Sequence, residues 1–274
     1  MLPVWSCFGE GGVKLFVFYK KLRPLLYIVA PMPDNRKHRG QHPSDAQLFD
    51  FTQWPKLQQA VRDMSWLLSH GYAEKSVLKL VGDRYRLKER QRLAVLRSAC
   101  SSQAALHRRS TELNAEQLQN KTLYLDGFNV LITVESALSK GLIFEGVDSC
   151  YRDLASIHGS YKKVLETEKA ILLIGELLDR LSLTKSIWYF DRPVSNSGKL
   201  KQIVLELADK MNWNVEVELH SNPDKVLKEC GQPVASSDSV VLDAAASWFN
   251  LARFIIEKHF HDADVLPMGQ LAVS

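Results

Sequence analysis

From residue 122 to residue 255 the chain alternates short β-prone apolar runs with longer amphipathic stretches, and this alternation restricts its fold more than any other feature. The runs are TLYL at 122–125, IWYF at 187–190, VEVEL at 215–219 and the pair Val234–Ala235. Ala170, Ile171, Ile174, Leu177, Leu178 and Leu181 trace one helical stripe between them. Leu200, Ile203, Val204 and Leu207 trace a second, and Trp248, Leu251, Ala252 and Ile255 a third. Apolar residues three and four apart share one helix face. Strands that alternate with helices predict βαβ units, hence an α/β fold with a parallel sheet flanked by helices.

Upstream the pattern is helical only. Leu57, Val61, Met64 and Leu68 recur at helical spacing, with Gly71 as the stop; Val77, Leu80 and Val81 form a second stripe, and Leu93, Leu96 and Cys100 a third. This predicts a small all-helical domain over 41–110, a polar connection over 110–120, the α/β domain over 120–260 and a tail over 261–274. Residues 1–40 are predicted to be a poorly structured basic and apolar extension. Lys20, Lys21 and Arg23 split the apolar run from Val13 to Ala30, and neither piece approaches the ~20 apolar residues of a membrane span. At 46% hydrophobic the chain can bury a core without a staple. Cys7, Cys100, Cys150 and Cys230 are scattered, with no CxxC pair, which argues against structural zinc and fits a reducing cytoplasm.

In a parallel α/β sheet, ligands bind beyond the carboxyl ends of the strands. An aspartate follows each candidate strand: Asp126 after TLYL, Asp191 after IWYF, Asp224 in the loop after VEVEL, and Asp238 after VASS. Taken singly, each has a structural explanation, as a turn residue, an ion-pair partner or a helix cap. Four carboxylates gathered at one sheet edge would repel one another and raise some pKa values. A divalent cation removes that conflict, and an oxygen-rich acidic site suits Mg²⁺ or Mn²⁺.

The motifs around these aspartates are specific in combination. YLDGFNV resembles the first-strand motif of PIN-like and NYN-type nucleases, an apolar strand ending in Asp-Gly-x-Asn, and VASSDS is similar to their late-strand Ser-Ser-Asp motif. Asp191 matches the middle-strand aspartate, and Asp224 in PDKVL looks like the acidic residue that opens the next helix. The likeness runs over about residues 120–260. From about residue 40 onward the arrangement also resembles a prokaryotic family known only as a domain of unknown function with a helical N-terminal region. The nuclease resemblance implies metal-dependent phosphodiester hydrolysis, with RNA the favoured substrate. It implies Asp126, Asp191 and Asp238 as ligands of Mg²⁺ or Mn²⁺, Asp224 holding a second metal or orienting water, and Asn129 hydrogen-bonding a carboxylate or a phosphate oxygen. A further acidic residue after the first strand is expected, with Glu135, Glu145 and Asp148 as candidates. Residues 141–161 have no counterpart in a generic PIN core.

Basic residues outnumber acidic ones between Lys75 and Arg109, and Arg86, Arg90 and Arg97 fall at i, i+4 and i+11, one helix side that would attract a phosphate backbone. A solvated helix surface is the competing reading. In RPVSNSGKLK, Gly198-Lys199 resembles the end of a P-loop, but Pro193 and Leu200 break the motif. Ser195, Asn196 and Ser197 are instead expected to cap the next helix, with Arg192 and Lys199 placed to grip a phosphate at its start. His158, His259 and His261 read as incidental, Tyr151 and Trp188 as core, and Asp243 as support for the site or a solvent-facing residue. The formal charge of +4 permits a nucleic-acid partner without demanding one. Three functions compete. The first is a metal-dependent ribonuclease, and the second a non-catalytic nucleic-acid-binding or regulatory module on the same fold. The third, a haloacid-dehalogenase-type phosphatase, ranks last because Phe128 stands where its second aspartate belongs.

Overall fold

The structure is a computed structural model that describes residues 38–155 and 159–269. The expected extension up to residue 37, and His158, lie outside the described residues. The helical region comprises α1 (Asp45–Leu48), α2 (Trp54–Ser69), α3 (Glu74–Arg84), α4 (Glu89–Ser98) and α5 (Ser102–Thr111). The remainder runs β1 (Thr122–Asp126), α6 (Gly127–Leu138), β2 (Ile143–Glu145), β3 (Tyr151–Arg152), α7 (Thr167–Arg180), β4 (Lys185–Asp191) and α8 (Ser197–Met211). It continues through β5 (Val215–His220), α9 (Pro223–Glu229), β6 (Pro233–Ala235), α10 (Ser239–Leu242), β7 (Ser247–Trp248), α11 (Leu251–His259) and β8 (Val265–Pro267).

Five strands form a parallel sheet in the order β5-β4-β1-β6-β7. Side chains alternate between its two faces, as the period of a strand requires. Leu123, Leu125, Trp188 and Phe190 enter one core with residues of α6, α7, α8 and α11. Ile187, Tyr189 and Val234 enter the opposite core, with Leu227 of α9 and Val241 and Leu242 of α10. Helices therefore cover both faces, as the alternating sequence pattern predicts.

Strand order reverses at β1: the chain moves outward through β4 and β5, then crosses back to place β6 on the other side. That reversal opens a crevice at the carboxyl ends of β1 and β6. Asp126 ends β1, and the register pairs Leu125 with Ala235, so residues 236–238 emerge beside it. Asp126 and Asp191 share strand parity with Tyr124 and Tyr189, whose rings stack 5.8 Å apart on the face covered by α9 and α10.

Two expectations about organisation need correction. The 261–274 segment is not all tail, because Val265–Pro267 pairs in parallel with β2, which also pairs antiparallel with β3 in a second, three-stranded sheet. The helical region does not keep a separate core. Leu57, Val61, Met64 and Val77 pack with Phe144, Leu154, Leu266 and Met268 in one cluster, and Asn35–Ser274 forms one compact unit. Strands of two or three residues carry no readable alternation, so the sequence pattern does not reveal them. Among the described residues no helix is long and apolar enough to cross a membrane.

Candidate active site

A cleft of 530 Å³ opens at the crevice between β1 and β6. Asp126, Asn129, Asp224, Ser237 and Asp238 line it from the sheet edge, and Arg152 and Asp153 from the 141–161 segment. Glu74, Leu96 and Arg97 line it from the helical region.

Local sequence chemistry builds the rim. Asp126 is the N-cap of α6, its Oδ1 facing the Asn129 amide at 3.4 Å. Its Oδ2 accepts a 2.8 Å hydrogen bond from the Ser236 hydroxyl, whose oxygen in turn accepts the Asp238 amide at 3.0 Å. Gly127 must follow because a Cβ there would sit 2.8 Å from the Tyr189 carbonyl oxygen. Asn129 joins the two strand ends: its Oδ1 accepts both the amide and the hydroxyl of Ser237, at 2.8 and 2.9 Å. Asp238 caps α10, accepting the amides of Val240 and Val241 at 2.7 and 3.3 Å. Asp224 stands in the first turn of α9, which is capped by Asn222.

The electrostatics follow from this crowding. Burial, and then the neighbouring Asp238 and Asp224 carboxylates, push Asp126 up to about 7, against the partial relief from the Ser236 hydroxyl. Asp224 is raised by burial and by Asp238, and Asp191 by burial and by Asp224. The four aspartates thus form a chain of interacting charges along one edge. Asp126, Asp224 and Asp238 reach the cleft, whereas Asp191 does not line it.

Among the described residues, no group of three or more His, Cys, Asp or Glu side chains converges as a ready metal cage. The donor set still suits a hard cation, because Mg²⁺ usually binds through one or two carboxylates and fills its remaining positions with water and substrate oxygens. Asp126 and Asp238 fit that arrangement, and the Asp126 carboxyl is raised first by burial and then by the Asp238 and Asp224 charges. A three-aspartate cage including Asp191 does not fit it.

The other expected residues are distributed differently. Glu135 is buried on α6 and accepts bonds from Tyr161, Thr167 and Arg39; Glu145 pairs with Arg253, and Asp148 with Arg108 and Arg152. None of the three lines the cleft; Asp153 does, accepting the Thr133 hydroxyl at 2.9 Å. Arg86, Arg90 and Arg97 do not make one helix face. Arg86 precedes α4 with φ 50°, Arg90 is held in a bidentate pair by buried Asp45, and Arg97 donates to the carbonyls of Asp153 and Ala155 at the cleft wall. Arg192 donates to the Leu219 carbonyl, and neither it nor Lys199 lines the cleft. The expected capping of α8 is absent: no side chain caps it, and Asn196, in the left-handed region, donates its amide to the Tyr161 carbonyl at 2.9 Å. Tyr151 and Trp188 are buried, and Asp243 pairs with Arg108. Ser236 and Ser237 could have been singled out as the polar pair ending an apolar strand. Asp153 carries no such signal, since it follows a two-residue strand of another sheet.

Fold and cleft together define an α/β protein with an acidic site at the switch point of a parallel sheet, roofed by a helical region. Residues 115–254 match the family described as "Domain of unknown function (DUF5616)", and the chain belongs to that family. Residues 56–111 match a second family, described as "Protein of unknown function (DUF434)". An uncharacterized protein of Methanocaldococcus jannaschii is 32% identical over 186 residues, covering 68% of this chain and 88% of that protein. No solved structure matches the chain.

Proposed function

We propose that this chain is a divalent-cation-dependent phosphodiester hydrolase of PIN-like type, acting on RNA. The observation that carries the reading is the buried Asp126 carboxyl, raised to about 7, sharing a cleft with Asp224 and Asp238 at the carboxyl ends of β1 and β6. Acidic side chains outnumber Arg97 and Arg152 along that cleft, so a bare phosphate would be repelled. Bound Mg²⁺ or Mn²⁺ would offset that charge, acidify a water molecule and compensate the charge that builds on the phosphate.

Asp126 and Asp238 would hold the cation. Asp238 is fixed by the α10 amides, and Asp126 by Ser236, so both present oxygens from rigid element ends. Asp224, which lines the same cleft from the first turn of α9, would orient water for attack. Asp191 does not line the cleft, and its carboxyl is raised by burial and by Asp224, so it would touch neither the cation nor the substrate. Asn129 holds Ser237, and through it the spacing of the two strand ends.

The test is cleavage of single-stranded and structured RNA with Mg²⁺ or Mn²⁺. Cutting should stop with EDTA and be lost in Asp126→Asn and Asp238→Asn, with circular dichroism unchanged. Cleavage that survives both substitutions refutes the assignment. RNA affinity retained without cleavage, in wild type and variants alike, would favour a non-catalytic binding module.

A further inference from the structure

The cleft's most constrained support is a buried ion cluster, one member of which, Arg152, also lines the cleft. Arg108 of α5, Asp148 of the β2–β3 turn and Arg152 of β3 are all buried. Arg152 donates Nη1 and Nη2 to the Asp148 carboxylate at 2.9 and 2.7 Å, and Arg108 donates Nη1 to the same carboxylate at 2.5 Å. Both arginines have donors left over, and both spend them on one segment. Arg152 Nε donates to the Ser237 carbonyl at 2.7 Å; Arg108 reaches the Ser239 carbonyl at 3.4 Å and the Asp243 carboxylate at 2.8 Å. Asp238 lies between the two gripped carbonyls. The Arg108 carbonyl is itself fixed, accepting the Trp248 indole N–H at 2.7 Å.

Buried ion pairs rarely improve stability over well-packed apolar groups of the same volume, because desolvation cancels much of the attraction. Three buried charges retained here therefore call for an account other than stability. A guanidinium offers five donors in a rigid plane, so it can hold a carboxylate with one edge and a carbonyl with another; a lysine ammonium cannot reproduce that fork.

We propose that Arg108, Asp148 and Arg152 form a buried clamp that sets the position of the Ser237–Asp243 segment, making both arginines positioning residues for the cation held by Asp238. The proposal rests on the cation-dependent reading above. It also gives the helical region a part in the site, because Arg108 belongs to α5 and the gripped segment to the sheet domain.

The experiment pairs Mn²⁺ titration calorimetry with hydrogen exchange of the full chain. Wild type is compared with Arg152→Lys and Arg108→Lys, and with Arg90→Lys as a control that alters an ion pair remote from the cleft. Arg152→Lys and Arg108→Lys should weaken Mn²⁺ binding ~10–100-fold, the usual range for partners that orient metal ligands. Both should accelerate exchange of the Asp238, Val240 and Val241 amides, and Arg90→Lys should do neither. Unchanged affinity and exchange in folded Arg152→Lys would overturn the clamp, as would an equal loss in Arg90→Lys. If the wild type binds no Mn²⁺, the cation reading falls by itself, and the exchange data alone decide whether the clamp stands.

Discussion

Asp126 keeps 9% of its surface accessible and feels the charges of two further carboxylates, Asp238 and Asp224, that line the same cleft. In the unfolded chain such a carboxyl titrates near ~3.9, whereas in the fold it rises to about 7. Between these values the folded state binds the extra proton, so stability falls as pH rises through this window. Below the unfolded value both states are protonated and the cost is absent; above the folded value it is complete. Asp126→Asn should therefore raise the thermal midpoint relative to wild type at pH 8 without metal, with the gap closing toward pH 4. A gap that is constant with pH, or of opposite sign, would show that Asp126 carries no such burden. The positions of Asp126 and Asp238 were legible in the sequence because Asp126 directly follows an apolar run and Asp238 comes two serines after one, where a parallel sheet places its ligand-binding edge. The role of Asn129 in holding Ser237, and the entry of Asp153, were not legible. Both depend on contacts across 108 and 20 residues that no spacing encodes.

The β1–α6 junction shows how an element imposes its sequence. Gly127 passes so close to β4 that a methyl group would meet the Tyr189 carbonyl oxygen at 2.8 Å, and the next residue, Phe128, packs edge-on to Phe190 at 4.9 Å. Gly127→Ala should cost ~1–3 kcal/mol, the usual penalty of overpacking a core, read as a lower midpoint in urea; no shift would mean that β1 and β4 have room to part. The helices of 57–68, 170–181 and 200–207 declared themselves by periodicity, since their buried faces repeat several times, and the longer strands by short β-prone apolar runs. Failure came where an element was short or its partner distant. The arginine stripe assumed one continuous helix, but Arg86 takes a left-handed conformation between α3 and α4, and Arg90 turns to a buried aspartate contributed by α1.

At the scale of the whole molecule, the helical region shares one compact unit and one core cluster with residues of the sheet domain. Phe144 of β2 lies in the helical cluster, edge-on to Phe49 at 5.1 Å, and is 1% exposed. Phe144→Ala should remove ~3–5 kcal/mol and lower one unfolding transition seen alike by helix ellipticity and by tryptophan fluorescence. Two separated transitions would show that the regions fold independently. This union brings Glu74, Leu96 and Arg97 over the acidic edge, so the cleft takes its lining from both of the matched stretches, 56–111 and 115–254. Anomalous diffraction from crystals soaked in Mn²⁺ bears most directly on the central claim. The account expects a peak in the cleft, within direct coordination distance of the Asp126 and Asp238 carboxylates and otherwise surrounded by water. A cleft without a peak at saturating Mn²⁺, or ions bound only elsewhere on the surface, would contradict it.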